Sequence, residues 1–472
     1  MKKYLKMVTL ICVALFCPAA MSYDGQIKSL EEKGSIDFIP PKIQTYDYPS
    51  GAKLYFLENR ELPVVEMDVM VPVGSIHDPA DKKGLLGFMM YGLRTGGTTS
   101  LSGDEVDKKI ENMAISLDTN AGGEVSFVSG KSLKRDQDLL FDLFFDVLKN
   151  PRFDNDKLEL GRKQMLQTLV RRNENPMSVA RREFLQRVYG TQNVWARTSE
   201  EQTIKNISCD DIVKVHKQYM TPNHFWFVVT GDIGFDEAKD KIAGYLKNWE
   251  NSQAPLPAID PVRKEWEANT FVIDRDVKQS SVVLGHFGEK RFNPDKYALV
   301  LANYILGGST FGSRLGSWIR TSLGLAYGIT SSFGLSTDYG AFQIVASTQT
   351  DTTVKMIEEI KKTFVSAQTE KPVTDEELKN AKQAILNQMV FENDEPAKIV
   401  RARRYYDFYG YPPDYFTVYQ NEIKKVSLNQ VQEVLKKYFY PDKLIVLIVG
   451  NKKGMDGLDR LGTVIDQPLD ND

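Results

Sequence analysis

Apolar and polar residues follow the same succession of periodicities twice along the chain. Val64–Val71 has the period-two alternation of a half-buried strand, whereas Asp136–Lys149 carries apolar residues three and four positions apart, as an amphipathic helix does. The predicted elements are strands at Lys53–Leu57, Val64–Val71, His224–Thr230, Ser280–His286, Gly340–Ser347 and Lys443–Val449, a hairpin over Leu117–Ser132, and helices at Asp136–Lys149, Asp154–Arg172, Pro176–Tyr189, Asp210–Tyr219, Phe235–Trp249, Val354–Thr369 and Asp375–Val390. This mixture predicts an α+β fold with helices packed on one face of a mostly antiparallel sheet.

Short motifs recur at an almost constant offset, which indicates a tandem duplication. Pro176 begins a predicted helix that ends at Tyr189-Gly190, and the same pattern returns 220 residues later from Pro396 to Tyr409-Gly410. Three further residues, Tyr219, Pro222 and Gly231, are matched at an offset of 219 by Tyr438, Pro441 and Gly450. We therefore predict two homologous domains at 38–250 and 263–460, joined by a proline-containing linker at 251–262.

The N-terminus has the three parts of a secretory signal peptide. Three lysines within the first six residues precede the apolar stretch Met7–Phe16, and Ala20-Met21-Ser22 has the small residues of a cleavage site. The apolar stretch is too short to cross a bilayer, since a spanning helix needs about 20 apolar residues. We expect residues 1–22 to be removed near Ser22, giving a periplasmic or otherwise exported protein without stable membrane insertion.

Composition and charge exclude several classes of protein. With 42% hydrophobic and 26% charged residues in 472, the chain is neither collagen-like nor disordered. Its net charge is −3 and becomes more negative without the N-terminal lysines, so it lacks the basic character of a nucleic-acid-binding protein. The basic and aromatic run Arg401–Tyr406 is therefore interpreted as one face of a helix, with arginines snorkelling over packed tyrosines. Signal cleavage leaves Cys209 alone, which excludes an intrachain disulfide.

Several ordered motifs resemble those of the pitrilysin/insulinase-type metallopeptidases, which include the mitochondrial processing peptidase. The motifs are Gly84-Leu85-Leu86, Thr95-Gly96-Gly97-Thr98, Asn173-Glu174-Asn175-Pro176, Leu306-Gly307-Gly308, Ser313-Arg314-Leu315 and Gly324-Leu325-Ala326-Tyr327. The resemblance extends over residues 38–460 and implies two similar α+β halves. Family members close two such chains, or two fused chains, into a clam-shell around a peptide, so this chain is expected to form half of the chamber.

Active members of that family carry an inverted zinc motif, His-x-x-Glu-His, on the first long helix. Two imidazoles on one helical face hold zinc, and the glutamate activates the metal-bound water. Aligned from Gly84, the motif positions are Gly87, Met90 and Tyr91, and the third ligand falls at Gln167 or Thr168. None of these side chains supplies the required group. The four remaining histidines, His77, His216, His224 and His286, form no helical pair, so we expect no catalytic zinc on this chain.

The second half retains the other part of the family's site. Arg320 ends a predicted helix, Gly324 stops that helix, and Tyr327 opens the next strand. The resemblance implies that an arginine and a tyrosine at this spacing reach the substrate near the scissile bond. A guanidinium holds carbonyl or carboxylate oxygens in fixed geometry, and a phenol stabilises a developing oxyanion. Without the resemblance, an ion-paired surface arginine and a core tyrosine remain the alternative.

These features predict the subunit of a heterodimeric periplasmic metallopeptidase that binds no zinc itself. Arg320 and Tyr327 would orient an unfolded peptide, while zinc would lie on a homologous partner that carries His-x-x-Glu-His. The chain alone would then show no peptidase activity. The alternative is a non-catalytic peptide-binding or scaffold protein. A phosphate site at Leu306–Thr310 is disfavoured, because the segment lacks the lysine of a P-loop; we interpret it as a helix-ending turn, although the processing-peptidase relatives use a glycine-rich loop here to contact substrate.

Overall fold

The computed structural model describes residues 38–469, which form two sheets with helices packed around them. The predicted signal peptide lies outside the described residues. Between the sheets, residues 251–269 form neither helix nor strand. Within the described part of the chain, no helix is both long and apolar enough to cross a membrane.

The first sheet has six strands in the order β1-β2-β6-β3-β5-β4. Its strands are β1 Gln44–Asp47, β2 Lys53–Glu58, β3 Val64–Val71, β4 Ser116–Ala121, β5 Ser126–Leu133 and β6 Trp226–Gly231. All neighbours are antiparallel except β2 and β6. Strand β6, the last strand of the first half, lies between the early strands β2 and β3. The end of the first half therefore packs into the same sheet as its beginning.

The second sheet has seven strands in the order β13-β7-β12-β8-β11-β10-β9. Its strands are β7 Thr270–Asp274, β8 Gln279–Phe287, β9 Glu289–Lys290, β10 Gly328–Ser336, β11 Tyr339–Gln349, β12 Ile445–Gly450 and β13 Val464–Asp466. As in the first sheet, the last long strand of the half, β12, lies between early strands and pairs with β7 in parallel. The equivalent positions of β6 and β12 agree with the duplication.

Fourteen α-helices accompany the sheets in the described residues. They are α1 Leu85–Thr95, α2 Gly103–Asn112, α3 Gln137–Lys149, α4 Asn155–Arg171, α5 Pro176–Tyr189, α6 Glu201–Lys205, α7 Cys209–Tyr219, α8 Phe235–Leu246, α9 Lys296–Asn303, α10 Thr353–Gln368, α11 Asp375–Glu392, α12 Pro396–Phe408, α13 Tyr415–Lys425 and α14 Leu428–Tyr438. Two large cores, one in each half, join these helices to the sheets. The predicted α+β fold with tandem homologous halves is confirmed.

Each half contributes one helix that packs on the sheet of the other half. The residue pattern does not predict this arrangement. Val179 and Phe184 of α5, a helix of the first half, share a core with Val283 and Leu447 of the second sheet. Reciprocally, Val400 of α12 packs on Tyr55 and Val228 of the first sheet. Most helices of each half lie on one face of its own sheet as predicted, and the opposite face is covered by a helix from the other half. The two duplicated Pro-to-Tyr-Gly segments are therefore the elements that join the halves.

A buried ion cluster fixes α12 on the first sheet. Asp68, at the middle of β3, is 2% exposed, and Arg404 of α12 is equally buried. One carboxylate oxygen contacts Nη1 of Arg404, and the other accepts a hydrogen bond of 2.5 Å from Nε of Arg401. Arg404 also donates to the carbonyl of Trp226 at 3.1 Å. The interpretation of this run as snorkelling arginines is wrong for Arg404, because a carboxylate from the other half makes its burial possible.

A second contact between the halves lies at the β4–β5 hairpin. Glu124, in the turn of that hairpin, accepts hydrogen bonds from the hydroxyls of Tyr409 at 3.1 Å and Thr337 at 2.5 Å. The buried guanidinium of Arg291 lies 3.7 Å from the same carboxylate and 3.7 Å from the ring centroid of Tyr409. The hairpin that carries the edge strand β4 is thereby held against the second half.

The stability of the second half is expected to fall on mild acidification, because His286 is buried and neutral. Its Nε2 accepts a hydrogen bond from the amide of Tyr440 at 3.2 Å, and its Nδ1 donates to the carbonyl of Phe287 at 2.6 Å. Burial lowers the pKa of His286 to about 4. In the unfolded chain the imidazole of His286 takes up a proton near pH 6.5. The unfolded chain therefore binds more protons than the folded chain between pH 6.5 and 4. The His286 contribution is therefore present above pH 6.5 and lost towards pH 4, at up to about 1.4 kcal/mol per pH unit.

Urea denaturation at pH 7, 6 and 5 checks this expectation. The variant His286→Gln should be less stable at pH 7 and should lose less stability between pH 7 and 5 than the parent protein. Burial also lowers the pKa values of His77, His216 and His224, but these residues are unchanged in the variant, so the difference isolates His286. Parallel pH profiles for the two proteins would contradict the expectation.

Candidate functional site

The helix that aligns with the zinc motif, α1, is firmly anchored at its start. Gly84 precedes it with φ of +110°, and a β-carbon at that position would collide with the side chain of Ile204. The carboxylate of Asp78 accepts hydrogen bonds of 2.9 Å from the amides of Gly84 and Leu86. Burial raises the pKa of Asp78, while these amides and Lys83 act in the opposite direction. The start of the helix is thus positioned by hydrogen bonds to Asp78 and by close packing at Gly84.

The three zinc-motif positions on α1 present no ligand. At Gly87 the space that a β-carbon would enter is open. Met90 is 1% exposed and belongs to the core. The ring of Tyr91 lies against α4, where a β-carbon at Gly161 would come within 2.3 Å of it. A thioether in the core and a phenol packed on a neighbouring helix do not fit the hard N/O donor set that zinc takes in these peptidases.

The third-ligand positions lie on α4 and also lack a donor of the required kind. Gln167 and Thr168 are both exposed, and the Thr168 hydroxyl donates to the carbonyl of Gln164 at 2.9 Å. Among residues 38–469, no group of three His, Cys, Asp or Glu side chains is arranged to hold a metal ion. The donor groups of the described residues therefore do not fit zinc.

The edge strand β4 runs beside α1. Among the described strands it pairs only with β5, so its other side is an open edge of the sheet. Two contacts tie it to the helix: Nε of Arg94 donates to the carbonyl of Leu117 at 2.6 Å, and the hydroxyl of Thr119 donates to the carbonyl of Met90 at 2.6 Å. An extended peptide could pair with this edge and add a strand to the sheet.

Arg320 and Tyr327 lie together at the start of β10. Arg320 is in a π-helical segment, Gly316–Ser322, and Gly324 reverses the chain after it with φ of +62°. Nε of Arg320 donates to the main-chain carbonyl of Tyr327 at 3.1 Å, so the spacing of seven residues brings the guanidinium to the backbone of Tyr327. The amide of Tyr327 donates to the carbonyl of Ser347 at 2.9 Å, which fixes it on the sheet.

The exposure of Tyr327 bears on its role. Its side chain is 81% exposed, which does not agree with the alternative of a core tyrosine. The guanidinium of Arg320 lies 4.5 Å from the ring centroid of Phe311, which is itself 68% exposed. Stacking on this ring restrains the guanidinium without engaging its Nη groups. The site therefore offers an exposed phenol and a half-buried, positioned guanidinium.

Two exposed aromatic residues near Arg320, Phe311 and Trp318, were not apparent from the sequence. Trp318 is 44% exposed and donates from Nε1 to Glu359 at 3.1 Å. Large apolar residues among small ones, as in Ser309–Trp318, are the only signal that the sequence offers for them. They make the surface around the pair partly apolar.

The glycine-rich segment is used for close packing. Tyr304–Gly308 is a π-helical turn that ends α9. A β-carbon at Gly307 would lie 2.4 Å from the hydroxyl of Ser331 on β10, so only glycine fits there. This agrees with the interpretation of the segment as a helix-ending turn.

Fold and site together define a two-domain α+β protein with a peptidase framework and no zinc ligands on its first helix. Residues 55–201 match the family model described as Insulinase (Peptidase family M16), and residues 206–385 match the one described as Peptidase M16 inactive domain. The chain belongs to peptidase family M16. The resemblance inferred from its motifs is therefore confirmed.

Similar proteins carry both non-peptidase and protease names. A Helicobacter pylori protein named non-peptidase homolog YmxG is 27% identical over 413 residues, covering 84% of this chain and 94% of that protein. The Bacillus subtilis protein named uncharacterized zinc protease YmxG is 21% identical, with 86% and 98% covered. The name of a relative thus does not decide whether a family member is a peptidase.

Solved structures share the fold over most of the chain. The peptidase M16 inactive domain structure from Pseudomonas fluorescens has a TM-score of 0.78 and 25% identity, covering 87% of this chain and 98% of the other. The periplasmic protease PqqL from Escherichia coli has a TM-score of 0.74 at 15% identity, and the match covers 89% of this chain but 46% of that protease. This chain therefore corresponds in fold to less than half of that protease.

Proposed function

We propose that this chain is the zinc-free subunit of a heterodimeric metallopeptidase and that it binds and orients peptide substrate. The observation that carries the proposal is the asymmetry between the halves. The positions on α1 and α4 present no zinc ligand, whereas Arg320 is held at the backbone of Tyr327 and the phenol of Tyr327 is exposed. The partner, a homologous chain with His-x-x-Glu-His, would supply the zinc, the general base and the attacking water.

The roles of the pair follow from their chemistry. The fork of Arg320, restrained by Phe311, would hold a carbonyl oxygen of the peptide in fixed orientation. The phenol of Tyr327 would donate a hydrogen bond to the substrate oxygen that becomes negatively charged during attack. Neither role requires a metal on this chain.

Three observations support a two-chain chamber. This chain matches under half of the Escherichia coli protease, so a second unit of similar size is needed to equal that protease. The β4 edge beside α1 offers unpaired backbone groups to an extended peptide, which agrees with an unfolded substrate. The relative from Helicobacter pylori is named a non-peptidase homolog, which agrees with a chain inactive by itself.

We further propose that the complex works outside the cytoplasm. The support is the basic, apolar and small-residue succession at the N-terminus, which has the order of a secretory signal. Intact-mass measurement of the protein purified from its native host should then show a chain that begins close to Tyr23.

Reconstitution tests the proposed function. The chain alone should not hydrolyse an unfolded, quenched-fluorescent peptide, and an equimolar mixture with a homologous zinc-motif chain should form a stable complex and hydrolyse it. The mixture should lose activity with a chelator, because the zinc lies on the partner. A stable homodimer that binds peptide, forms no complex with such a chain and never raises hydrolysis would contradict the proposal and favour the scaffold alternative.

A further inference from the structure

Gly87 lies in the first turn of α1, and no close packing requires a glycine there. Glycine favours a helix less than alanine does, so a helical glycine is usually explained by its neighbours. At Gly92, in the same helix, a β-carbon would lie 2.9 Å from the ring of Phe153, and at Gly161 of α4 it would lie 2.3 Å from the ring of Tyr91. At Gly87, apart from the chain neighbours and the helix backbone, no described atom lies within 4 Å of the equivalent place. Close packing thus explains the other two glycines but not Gly87.

The open space at Gly87 lies on the side of α1 that faces α4. Gly84, Gly87 and Tyr91 are three and four residues apart, so they share one face of the helix. At Gly84 a β-carbon would lie 3.4 Å from Cε of Met165 on α4, and the ring of Tyr91 lies against Gly161 of the same helix. The space is therefore bounded by a thioether at one end and by a phenol ring at the other. Both side chains are partly buried against the core of the first half.

The open edge of β4 runs beside the same stretch of α1. Arg94, in the last turn of α1, binds the carbonyl of Leu117. One turn earlier, the carbonyl of Met90 accepts a hydrogen bond from the hydroxyl of Thr119. Two residues along β4, about 6.6 Å, thus correspond to one turn of α1, about 5.4 Å. The next step along both elements places the end of β4 beside the turn that holds Gly87.

We infer that the space at Gly87 receives a large apolar side chain of a peptide paired with the β4 edge. In an added strand, every second side chain points to the same face as Leu117 and Thr119, the residues by which β4 contacts α1. The thioether of Met165 and the ring of Tyr91 would contact this side chain from the two ends of the space.

The chemistry of the space determines the class of side chain that fits. The positions that align with the zinc motif and its third ligand are uncharged in this chain, so they give a charged side chain no counter-ion. A small side chain would leave the thioether of Met165 and the ring of Tyr91 exposed to water, whereas leucine, methionine or phenylalanine would cover them. The inference rests on the proposed function, since it names the class of peptide that the subunit binds.

Fluorescence polarisation with two unfolded peptides tests the inference on the full mature chain. The peptides consist of serine, threonine and glycine and are identical except that one carries a single phenylalanine where the other carries alanine. The phenylalanine peptide should bind about tenfold more tightly, because its ring is buried in the space at Gly87.

A variant that fills the space provides the decisive comparison. Gly87→Leu should bind the two peptides with equal affinity, because its own side chain takes the place of the phenylalanine. It should keep the helix content and melting temperature of the parent, since its β-carbon meets no neighbour and leucine favours helices. The matched control is Gly244→Leu, also three residues from a helix end and equally unobstructed, but in α8. This control should keep the preference for phenylalanine.

The outcomes separate this inference from the proposed function. If the parent binds both peptides with equal affinity, the space receives no side chain and the inference is wrong, although the subunit still binds peptide. If Gly87→Leu keeps the preference for phenylalanine, that preference arises elsewhere and the inference is again wrong. A variant that melts well below the parent would show that the space is not open. If neither peptide binds the parent, the proposed function fails and the inference fails with it. A preference lost only in Gly87→Leu supports the inference.

Discussion

Replacing Asp68 by alanine is expected to lower the free energy of unfolding by about 3–5 kcal/mol. Asp68 is the carboxylate that compensates Arg404, which is 2% exposed between the halves. Without it, Arg404 keeps one hydrogen bond to the carbonyl of Trp226, and its Nε already has no partner. The guanidinium would then be a buried charge without a counter-ion. Denaturation in urea, followed by tryptophan fluorescence, measures the loss.

A control substitution at a second aspartate shows whether the burial of the Asp68 ion pair causes the loss of stability. Asp232 of the first half pairs with Lys134 at 2.8 Å, and the side chain of that lysine is 44% exposed. Asp232→Ala should cost no more than about 1 kcal/mol, since exposed pairs contribute little. Adding Arg404→Met to Asp68→Ala should recover part of the loss, because it removes the uncompensated charge. Equal effects of the two aspartate variants would contradict this account of the contact between halves.

The elements of this fold could be predicted closely from residue periodicity. Val64–Val71 and Pro176–Tyr189 have the predicted bounds, since local propensity and an adjacent proline or polar residue define their ends. The partner of each element could not be predicted in the same way. An apolar helix face fits any apolar sheet face, so nothing in Pro176–Tyr189 or Pro396–Phe408 shows that each packs on the sheet of the other half.

The candidate site, too, could be predicted from the sequence only in part. The prediction that Gly87, Met90 and Tyr91 supply no zinc ligand needs only the identity of these side chains, which the sequence gives directly. The exposure of Tyr327 and the stacking of Arg320 on Phe311 depend on how a π-helical segment meets a strand, which periodicity does not specify.

In the reconstituted complex, replacing Tyr327 by phenylalanine is expected to lower kcat about 10²- to 10³-fold with little change in KM. The phenol hydroxyl would act only when charge develops on the substrate oxygen, so its loss affects the transition state more than binding. The side chain is 81% exposed, and the variant should therefore fold and melt like the parent protein. Steady-state hydrolysis of a quenched peptide, with saturating zinc-motif partner, measures both constants.

Variants at Arg320 test the second residue of the pair, and a variant at a remote tyrosine serves as the control. Arg320→Ala should raise KM and lower kcat together, and Arg320→Lys should restore only part of the loss, because an ammonium lacks the planar fork and the stacking on Phe311. Tyr46→Phe, at a partly exposed tyrosine in the first strand, should leave both constants unchanged. If Tyr327→Phe hydrolyses peptide within twofold of the parent complex, the pair does not serve the reaction, and the asymmetry between the halves must reflect binding alone.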